Sequence, residues 1–254
     1  MKKLGLRVQH LLAQISIPFT FGLSIFFMKG LMGYRWVDLK GARDKIRSQI
    51  GAKPGPLMIC PNHLTMIDSL ILVWAITPFW KAMGKARMFP WNTPEKTNYA
   101  HVAILRFFTY IGKCLPVVRQ GPQEKTRTLM YKIKLLLTWS QSLMMFPEGA
   151  RSLTGRVDTE NYAYGVGKIL DDVRQEGLEP RVLLMYLRGK GQKGKSTLPK
   201  RNEEFYLDSQ LIDPRSKSTG LRASRDISKQ IIDGLAEMER IYFKNNEGME
   251  PLIP

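Results

Sequence analysis

The stretch Leu57-Met58-Ile59-Cys60-Pro61-Asn62-His63, which continues to Asp68 and an apolar run ending at Ile76, decides the fold of this chain. Residues 57–60 form a short, continuous apolar run, typical of a strand that is covered on both faces in a parallel sheet. Residues 68–76 read as an apolar helix that Thr77-Pro78 ends. A buried strand followed closely by a buried helix is the repeating unit of an α/β fold.

The same alternation continues along the chain. Strands are predicted at 114–119, 143–146 and 181–187, an edge strand at 205–207, and a strand or extended segment at 81–88 that the proline-containing stretch 90–94 breaks. Helices are predicted at 100–110, 126–140, 164–174 and 224–242, and a flexible basic loop at 188–201. This order predicts an α/β fold with a mostly parallel central sheet flanked by helices.

Length, charge and cysteine content narrow the class of protein. The length of 254 residues suits one domain with additional elements, or a domain plus a membrane element. The net charge of +17 predicts an anionic partner: nucleic acid, an anionic bilayer or a phosphorylated substrate. The two cysteines have no metal-ligand spacing and form no disulfide framework, which fits a reducing compartment.

The N-terminus is apolar and flanked by basic residues. No residue from Leu11 to Met28 is charged, although Pro18 and several polar residues interrupt the stretch. A retained anchor, re-entrant or lying in the bilayer interface, is preferred to a single span, and a cleaved signal or a soluble core helix are the remaining alternatives. We therefore predict a membrane anchor at residues 1–40, an α/β domain at residues 41–254, and a location on the cytoplasmic face of the cell inner membrane.

His63 and Asp68 are the first candidate site residues. The chain has three histidines, and this one has a carboxylate five residues later. An imidazole oriented by an Asp is the minimal device for removing a proton from a hydroxyl near neutral pH. The spacing also arises by chance, and a His that only satisfies backbone groups at a helix start is the alternative reading. Asn62 is read as the helix N-cap or its neighbour.

A second cluster, Phe146-Pro147-Glu148-Gly149-Ala150-Arg151-Ser152, follows another predicted strand. Gly149 allows the backbone to approach a ligand, and Arg151 offers a fork that matches phosphate. An ordinary turn with a structural ion pair is the alternative. Arg119, at another predicted strand end, is a natural phosphate contact or else a solvated side chain. Reactive groups gather at the carboxyl ends of parallel strands, so the two clusters are expected to converge.

Taken together and in this order, these motifs resemble the glycerolipid acyltransferase family, which includes 1-acyl-sn-glycerol-3-phosphate acyltransferases. The resemblance spans about residues 60–187 and depends mainly on the first and third motifs. Residues 112–119 are similar to the family's acceptor-binding block. Residues 182–186 are similar to its apolar strand, but lack the usual proline, and Ala150 replaces the usual threonine.

The resemblance implies a mechanism and a set of partners. His63, oriented by Asp68, would deprotonate the free hydroxyl of a lysolipid, which attacks the thioester of acyl-CoA or acyl carrier protein. Backbone donors near His63 would stabilise the oxyanion. The substrate-binding residues it implies are Asn62, Arg119, Glu148, Gly149, Arg151 and Ser152. It implies no metal or cofactor, and a partner that is an anionic membrane surface rather than nucleic acid.

Two rival hypotheses remain at this stage. The first keeps the chemistry and changes the acceptor to glycerol 3-phosphate, a lysophospholipid or a lyso-aminolipid. The second is a basic module that binds membranes or nucleic acid without catalysis. The acceptor, the acyl chain length and the choice of donor are not encoded in these motifs.

Overall fold

The computed structural model describes residues 2–51, 55–78, 89–118 and 121–249. The helices are α1 (Lys2–Ile25), α2 (Leu39–Ile50), α3 (Asp68–Ile76), α4 (Ala103–Ile111), α5 (Gln123–Thr138), α6 (Gly165–Gln175) and α7 (Gly220–Lys244). A π-helical segment (Phe26–Leu31) extends α1, and a 3-10 turn spans Lys96–Asn98. The strands are β1 (Arg35–Trp36), β2 (Leu57–Pro61), β3 (Trp91–Asn92), β4 (Ser142–Met144), β5 (Arg181–Gly189) and β6 (Glu204–Ile212).

The strands form one sheet in the order β1-β6-β5-β2-β4-β3. Every neighbouring pair is parallel except β5 and β6, which run antiparallel. The prediction of an α/β fold with a mostly parallel sheet is confirmed. β2 and β4 lie side by side and point the same way, so the segments that leave them emerge at one edge of the sheet.

Alternate residues of the central strands supply two hydrophobic cores. Met58 of β2 and Leu184 of β5 pack with α5, α6 and α7 on one face. Ile59 and Leu183 pack with α1, α2 and α3 on the other. Because successive side chains of a strand point to opposite faces, a strand covered on both sides has to be apolar at every position. This explains why the run at 57–60 was a reliable strand signal.

Helix α1 lies on the domain rather than apart from it. Its residues Leu6, Ala13, Ile17 and Phe21 are buried at helical spacing, and the helix runs through Pro18 without a break. By length and composition the stretch Lys3–Leu31 could cross a membrane, which alone is a weak indication of anchoring. The predicted boundary between residues 40 and 41 falls inside α2, and β1, which precedes it, belongs to the central sheet.

Two local predictions are wrong and one lies outside the described residues. Residues 114–118 are not a strand, because only Cys114 and Val117 form isolated bridges, and Pro116 between them has no N–H to donate. The Pro90–Pro94 segment, predicted only to break structure, contains strand β3. The extended segment predicted at 81–88 lies outside the described residues.

Candidate active site

The two predicted clusters meet at the carboxyl ends of β2 and β4. The backbone N–H of His63 donates to Oε1 of Glu148 at 2.7 Å. In return, the N–H of Ser152 donates to the carbonyl of His63 at 2.9 Å. The predicted convergence is therefore confirmed, and it arises because neighbouring parallel strands deliver their following loops to the same edge.

Asp68 engages the ring of His63 and the loop that carries it. Nδ1 of His63 lies 3.0 Å from Oδ2 of Asp68. The same oxygen accepts the backbone N–H groups of Leu64 at 2.6 Å and Thr65 at 2.8 Å. The Thr65 hydroxyl donates to the other oxygen, Oδ1. Asp68 is buried and is the first residue of α3, where the helix dipole favours a negative charge.

The His63 ring reaches the surface of the site. Its side chain is 20% exposed, and the ring stacks on Phe146 with centroids 4.0 Å apart. With Nδ1–H donated to the carboxylate, Nε2 is left as the basic nitrogen that can accept a proton. The structure thus provides an accessible, oriented imidazole with the geometry that a general base needs.

Glu148 is buried beside His63 rather than open to solvent. Its Oε1 accepts the His63 N–H, and its Oε2 lies 3.4 Å from the backbone nitrogen of Asp158. Burial raises the pKa of Glu148 to about 8, and the negative charges of Glu239 and Asp68 act in the same direction. Glu148 therefore fixes the backbone at His63. A contact between Glu148 and the substrate stays a prediction.

The turn that follows β4 has little freedom. Gly149 has φ +72°, and a Cβ there would lie 2.8 Å from the Cβ of Ala163. The Arg151 guanidinium donates to the carbonyl of Ser196 at 3.0 Å and is half-buried. The Ser152 hydroxyl donates to the carbonyl of Arg156. Gly149 and Ser152 thus shape the turn beneath His63, and phosphate binding by Arg151 stays a prediction.

Asn62 and Arg119 complete the predicted set. The Asn62 side chain exchanges two hydrogen bonds with the backbone of Leu187, at 3.0 and 2.7 Å, and so ties the exit of β2 to β5. Its predicted role as a helix N-cap is wrong, because α3 begins six residues later, after Ile67. Arg119 lies outside the described residues.

The predicted oxyanion donors near His63 have other partners. The N–H groups of Leu64 and Thr65 point to Asp68, and that of His63 points to Glu148. The expectation that helix-start donors here face the substrate is therefore wrong for these three groups. The reason is that residues 63–65 belong to a tight loop around the carboxylate of Asp68. The expectation required a helix that begins at His63.

The basic loop after β5 contributes to the site, which the sequence did not reveal. Thr65 forms a parallel bridge with Ser196, and the N–H of Met66 donates to the carbonyl of Thr197 at 3.1 Å. Lys193 and Lys195 remain exposed, as predicted for this loop. No local pattern encodes a pairing between segments about 130 residues apart.

An apolar cavity of about 370 Å³ lies between the end of α1, its π-helical extension and the start of α3. Its wall includes Leu23, Phe26, Phe27, Leu31, Ile67 and Leu70. Ile67 directly precedes Asp68, the first residue of α3, so the cavity lies at the same end of α3 as this carboxylate.

The fold and the site together define an α/β protein whose oriented histidine can deprotonate a hydroxyl at the carboxyl edge of a mostly parallel sheet. A family model described as Acyltransferase matches residues 41–172, just over half of the chain, and includes both clusters. The chain belongs to this acyltransferase family, in agreement with the resemblance to glycerolipid acyltransferases. No curated protein sequence matches the chain.

Proposed function

We propose that this acyltransferase moves a fatty acyl group from acyl-CoA or acyl carrier protein to the free hydroxyl of a lysolipid. The acceptor proposed first is 1-acyl-sn-glycerol-3-phosphate, which would give phosphatidic acid. The observation that carries the proposal is an accessible His63, oriented by buried Asp68, at the place where the two clusters meet. An apolar cavity at the start of α3 supports a substrate that carries a hydrocarbon chain.

The chemistry needs only one proton carrier. Nε2 of His63 removes the hydroxyl proton as the oxygen attacks the thioester carbonyl, and Asp68 stabilises the imidazolium that forms. The tetrahedral intermediate then collapses, the carbon–sulfur bond breaks, and the leaving thiolate takes the proton from the imidazolium. No covalent acyl-enzyme is formed, and the proposal uses no metal or cofactor.

The acceptor head group is assigned to the basic residues beside the base. Arg151 follows the turn that supports His63, and Arg119 is included because the resemblance to the family implies it. A guanidinium pairs with phosphate through two parallel hydrogen bonds, which fixes orientation as well as charge. The chain's large positive charge and apolar α1 support a site on an anionic membrane, proposed as the cytoplasmic face of the inner membrane.

An acceptor panel tests the substrate. Labelled acyl-CoA and acyl carrier protein would each be offered with 1-acyl-sn-glycerol-3-phosphate, glycerol 3-phosphate, a lysophospholipid and a lyso-aminolipid. We expect the highest kcat/KM with the first acceptor. If an acceptor without phosphate is preferred, and Arg151→Ala leaves its turnover unchanged, the phosphate assignment is wrong while the acyl transfer itself stands.

The His63→Ala variant tests the reaction. Loss of a positioned general base should lower kcat by about 10²-fold or more. The control is His101→Ala, because His101 is exposed and distant in sequence from both clusters. A basic membrane-binding module without catalysis would show no acyl transfer in either protein, and wild-type-like turnover of His63→Ala would exclude the general-base assignment.

A further inference from the structure

Helix α4 has an apolar surface that the described part of the chain leaves uncovered. Five of its nine residues are large, apolar or aromatic, and exposed. They are Ile104, Leu105, Phe107, Phe108 and Tyr110. Soluble proteins seldom leave so many large apolar side chains together in water, and such patches mark surfaces that bind a partner.

Polar bonds fix α4 against α1. The Gln9 side chain donates to the carbonyls of Tyr110 at 3.0 Å and Cys114 at 2.9 Å. The Ser16 hydroxyl donates to the carbonyl of Ile111 at 3.0 Å. Helix α1 also exposes apolar side chains, with Phe19 at 79%. The exposed apolar residues of the two helices therefore lie on adjoining elements that are held together.

The charges on these helices favour an anionic bilayer over a second copy of the chain. Residues 2–31 and 103–111 contain no Asp or Glu. Their exposed charged side chains include Arg7, Lys29 and Arg106. Two copies that met through this surface would bring cations together, whereas anionic head groups would neutralise them.

The packing of α1 sets how such a surface would meet lipid. Because Leu6, Ala13 and Phe21 are buried against the domain, α1 is held lengthwise along it. A helix held in this way presents one long side, as interfacial helices do. Leu23 and Phe26 are both exposed and part of the cavity wall, so this side is continuous with that cavity.

We propose that α4 is a second membrane-contact element, which lies with the exposed side of α1 in the interface of an anionic bilayer. The bilayer as partner rests on the proposed function, since the acceptor is a lipid. The membrane contact of α4 is measured without acyl transfer. A negative result for this contact therefore leaves the proposed function untouched, and the reverse also holds.

A fluorescent reporter tests the contact directly. Phe107→Cys would be labelled with an environment-sensitive dye in the full-length protein and mixed with phosphatidylcholine vesicles with or without phosphatidylglycerol. Phe19→Cys reports on α1, and Leu221→Cys reports on an exposed position at the start of α7. Wild type treated with the same dye corrects for Cys60, which is buried, and Cys114, which is half-buried.

We expect the dyes at positions 107 and 19 to shift to the blue with phosphatidylglycerol vesicles and the dye at 221 to stay unchanged. A shift at 19 without one at 107 overturns the proposal. So does a shift at 107 that follows protein concentration without vesicles, because a second copy would then cover α4.

A substitution pair measures the contribution to binding. Phe107→Gln with Phe108→Gln should lower the vesicle partition coefficient about tenfold or more, since two aromatic rings no longer enter the interface. The control, Leu221→Gln with Ile241→Gln, removes two exposed apolar side chains of α7 and should leave it unchanged. Equal partition of both double variants contradicts the role of α4, whatever the acyl transfer activity.

Discussion

At the scale of single residues, Asp68 has two functions that a substitution can separate. Its Oδ2 contacts His63 Nδ1 and also accepts the N–H groups of Leu64 and Thr65. A carboxylate oxygen can accept several donors at once, whereas an amide placed here carries no charge and turns its NH2 group toward either the backbone N–H groups or the Thr65 hydroxyl. The loop geometry and the tautomer of the base therefore depend on the same ionised group.

The Asp68→Asn variant should lose catalysis more than stability. We expect kcat to fall by roughly 10²–10⁴-fold, because the ring is no longer held with Nε2 basic. We expect the free energy of unfolding to fall by about 1–3 kcal/mol. Steady-state kinetics and denaturant unfolding measure the two effects. The control is Thr65→Val, which removes only the hydroxyl contact with Oδ1. Equal losses of kcat in both variants would show that loop geometry alone is responsible.

Glu148 is expected to make stability depend on pH. Burial raises its pKa from 4.5 to about 8 in the folded protein. The folded state therefore binds this proton more tightly than the unfolded state, so the free energy of unfolding falls as pH rises from about 4.5 to 8. Above that window the full cost of a buried carboxylate is present, which is at most on the order of a few kcal/mol.

The Glu148→Gln variant tests this dependence. A glutamine resembles the protonated acid and keeps an oxygen for the His63 N–H, so the variant's unfolding free energy should decline less across the same pH window. Denaturant titrations at several pH values provide the measurement. Glu124→Gln, an exposed change of the same charge on α5, should keep the wild-type slope. If the slope of the Glu148→Gln variant matched that of wild type, another group would be responsible for the titration.

The residues of the site differed in how well sequence could assign them. The pairing of His63 with Asp68 was predicted because the two are close in sequence and the chemistry needs both types. The contacts of Asn62 and Glu148 were not predicted, because their side chains satisfy backbone groups of Leu187, His63 and Asp158. A polar residue in a motif can support the loop instead of the substrate, and only the three-dimensional contacts separate the two roles.

At the scale of elements, α7 braces the loop that follows the second cluster. Buried Glu239 accepts from Nε of Arg156 at 2.9 Å, from the N–H of Val157 at 3.2 Å and from the hydroxyl of Tyr186 at 3.3 Å. The next residue, Asp158, is the one whose N–H faces Glu148. A helix from the far end of the chain is therefore connected to His63 through one loop.

The Glu239→Gln variant should weaken this brace. Removing the charge of buried Glu239 replaces its ion pair with Arg156 by a weaker, neutral hydrogen bond. We therefore expect the free energy of unfolding to fall by about 1–3 kcal/mol. Activity should fall several-fold as the loop loosens. Glu237→Gln is the control on the same helix, because Glu237 is exposed and pairs with Arg240 at the surface. Indistinguishable unfolding curves for the two variants would contradict the proposed contribution of Glu239 to the stability of this loop.

The elements that sequence predicted are those whose own residues determine them. The apolar run of β2 and the periodic apolar side of α7 are local signals, and both elements formed. Strand β3 is two residues long and exists only because Trp91 and Asn92 pair with β4. Residues 114–118 are apolar enough for a strand, but Pro116 interrupts the ladder. Short edge elements depend on partners that a local window does not contain.

At the scale of the whole molecule, the N-terminal helix belongs to both the core and the surface. A division at residues 40 and 41 follows the change in composition, yet β1 pairs with β6 and the buried residues of α1 join the cores. Composition shows where an apolar segment ends. It does not show whether that segment packs on the domain, because apolar residues serve a core and a bilayer equally well.

This dual role predicts different results for deleting α1 and for changing only its exposed side. Deleting residues 1–29 would expose apolar surface now covered by Ala13, Ile17 and Phe21, so we expect a destabilised protein that aggregates. Replacing exposed Ile15 and Phe19 by Gln should leave the unfolding transition near wild type while lowering vesicle binding about tenfold.

Thermal unfolding and vesicle sedimentation, both at low and high salt, separate the two contributions. Salt should weaken wild-type binding by screening the basic side chains, but not abolish it, because the apolar contact is not screened. In the Ile15 and Phe19 double variant the apolar contact is reduced to that of α4 and the rest of α1, so its binding at high salt should be weaker than that of wild type. If the deletion variant instead folds with wild-type stability and only loses the membrane, α1 is a separable anchor and its packing contributes nothing to the core.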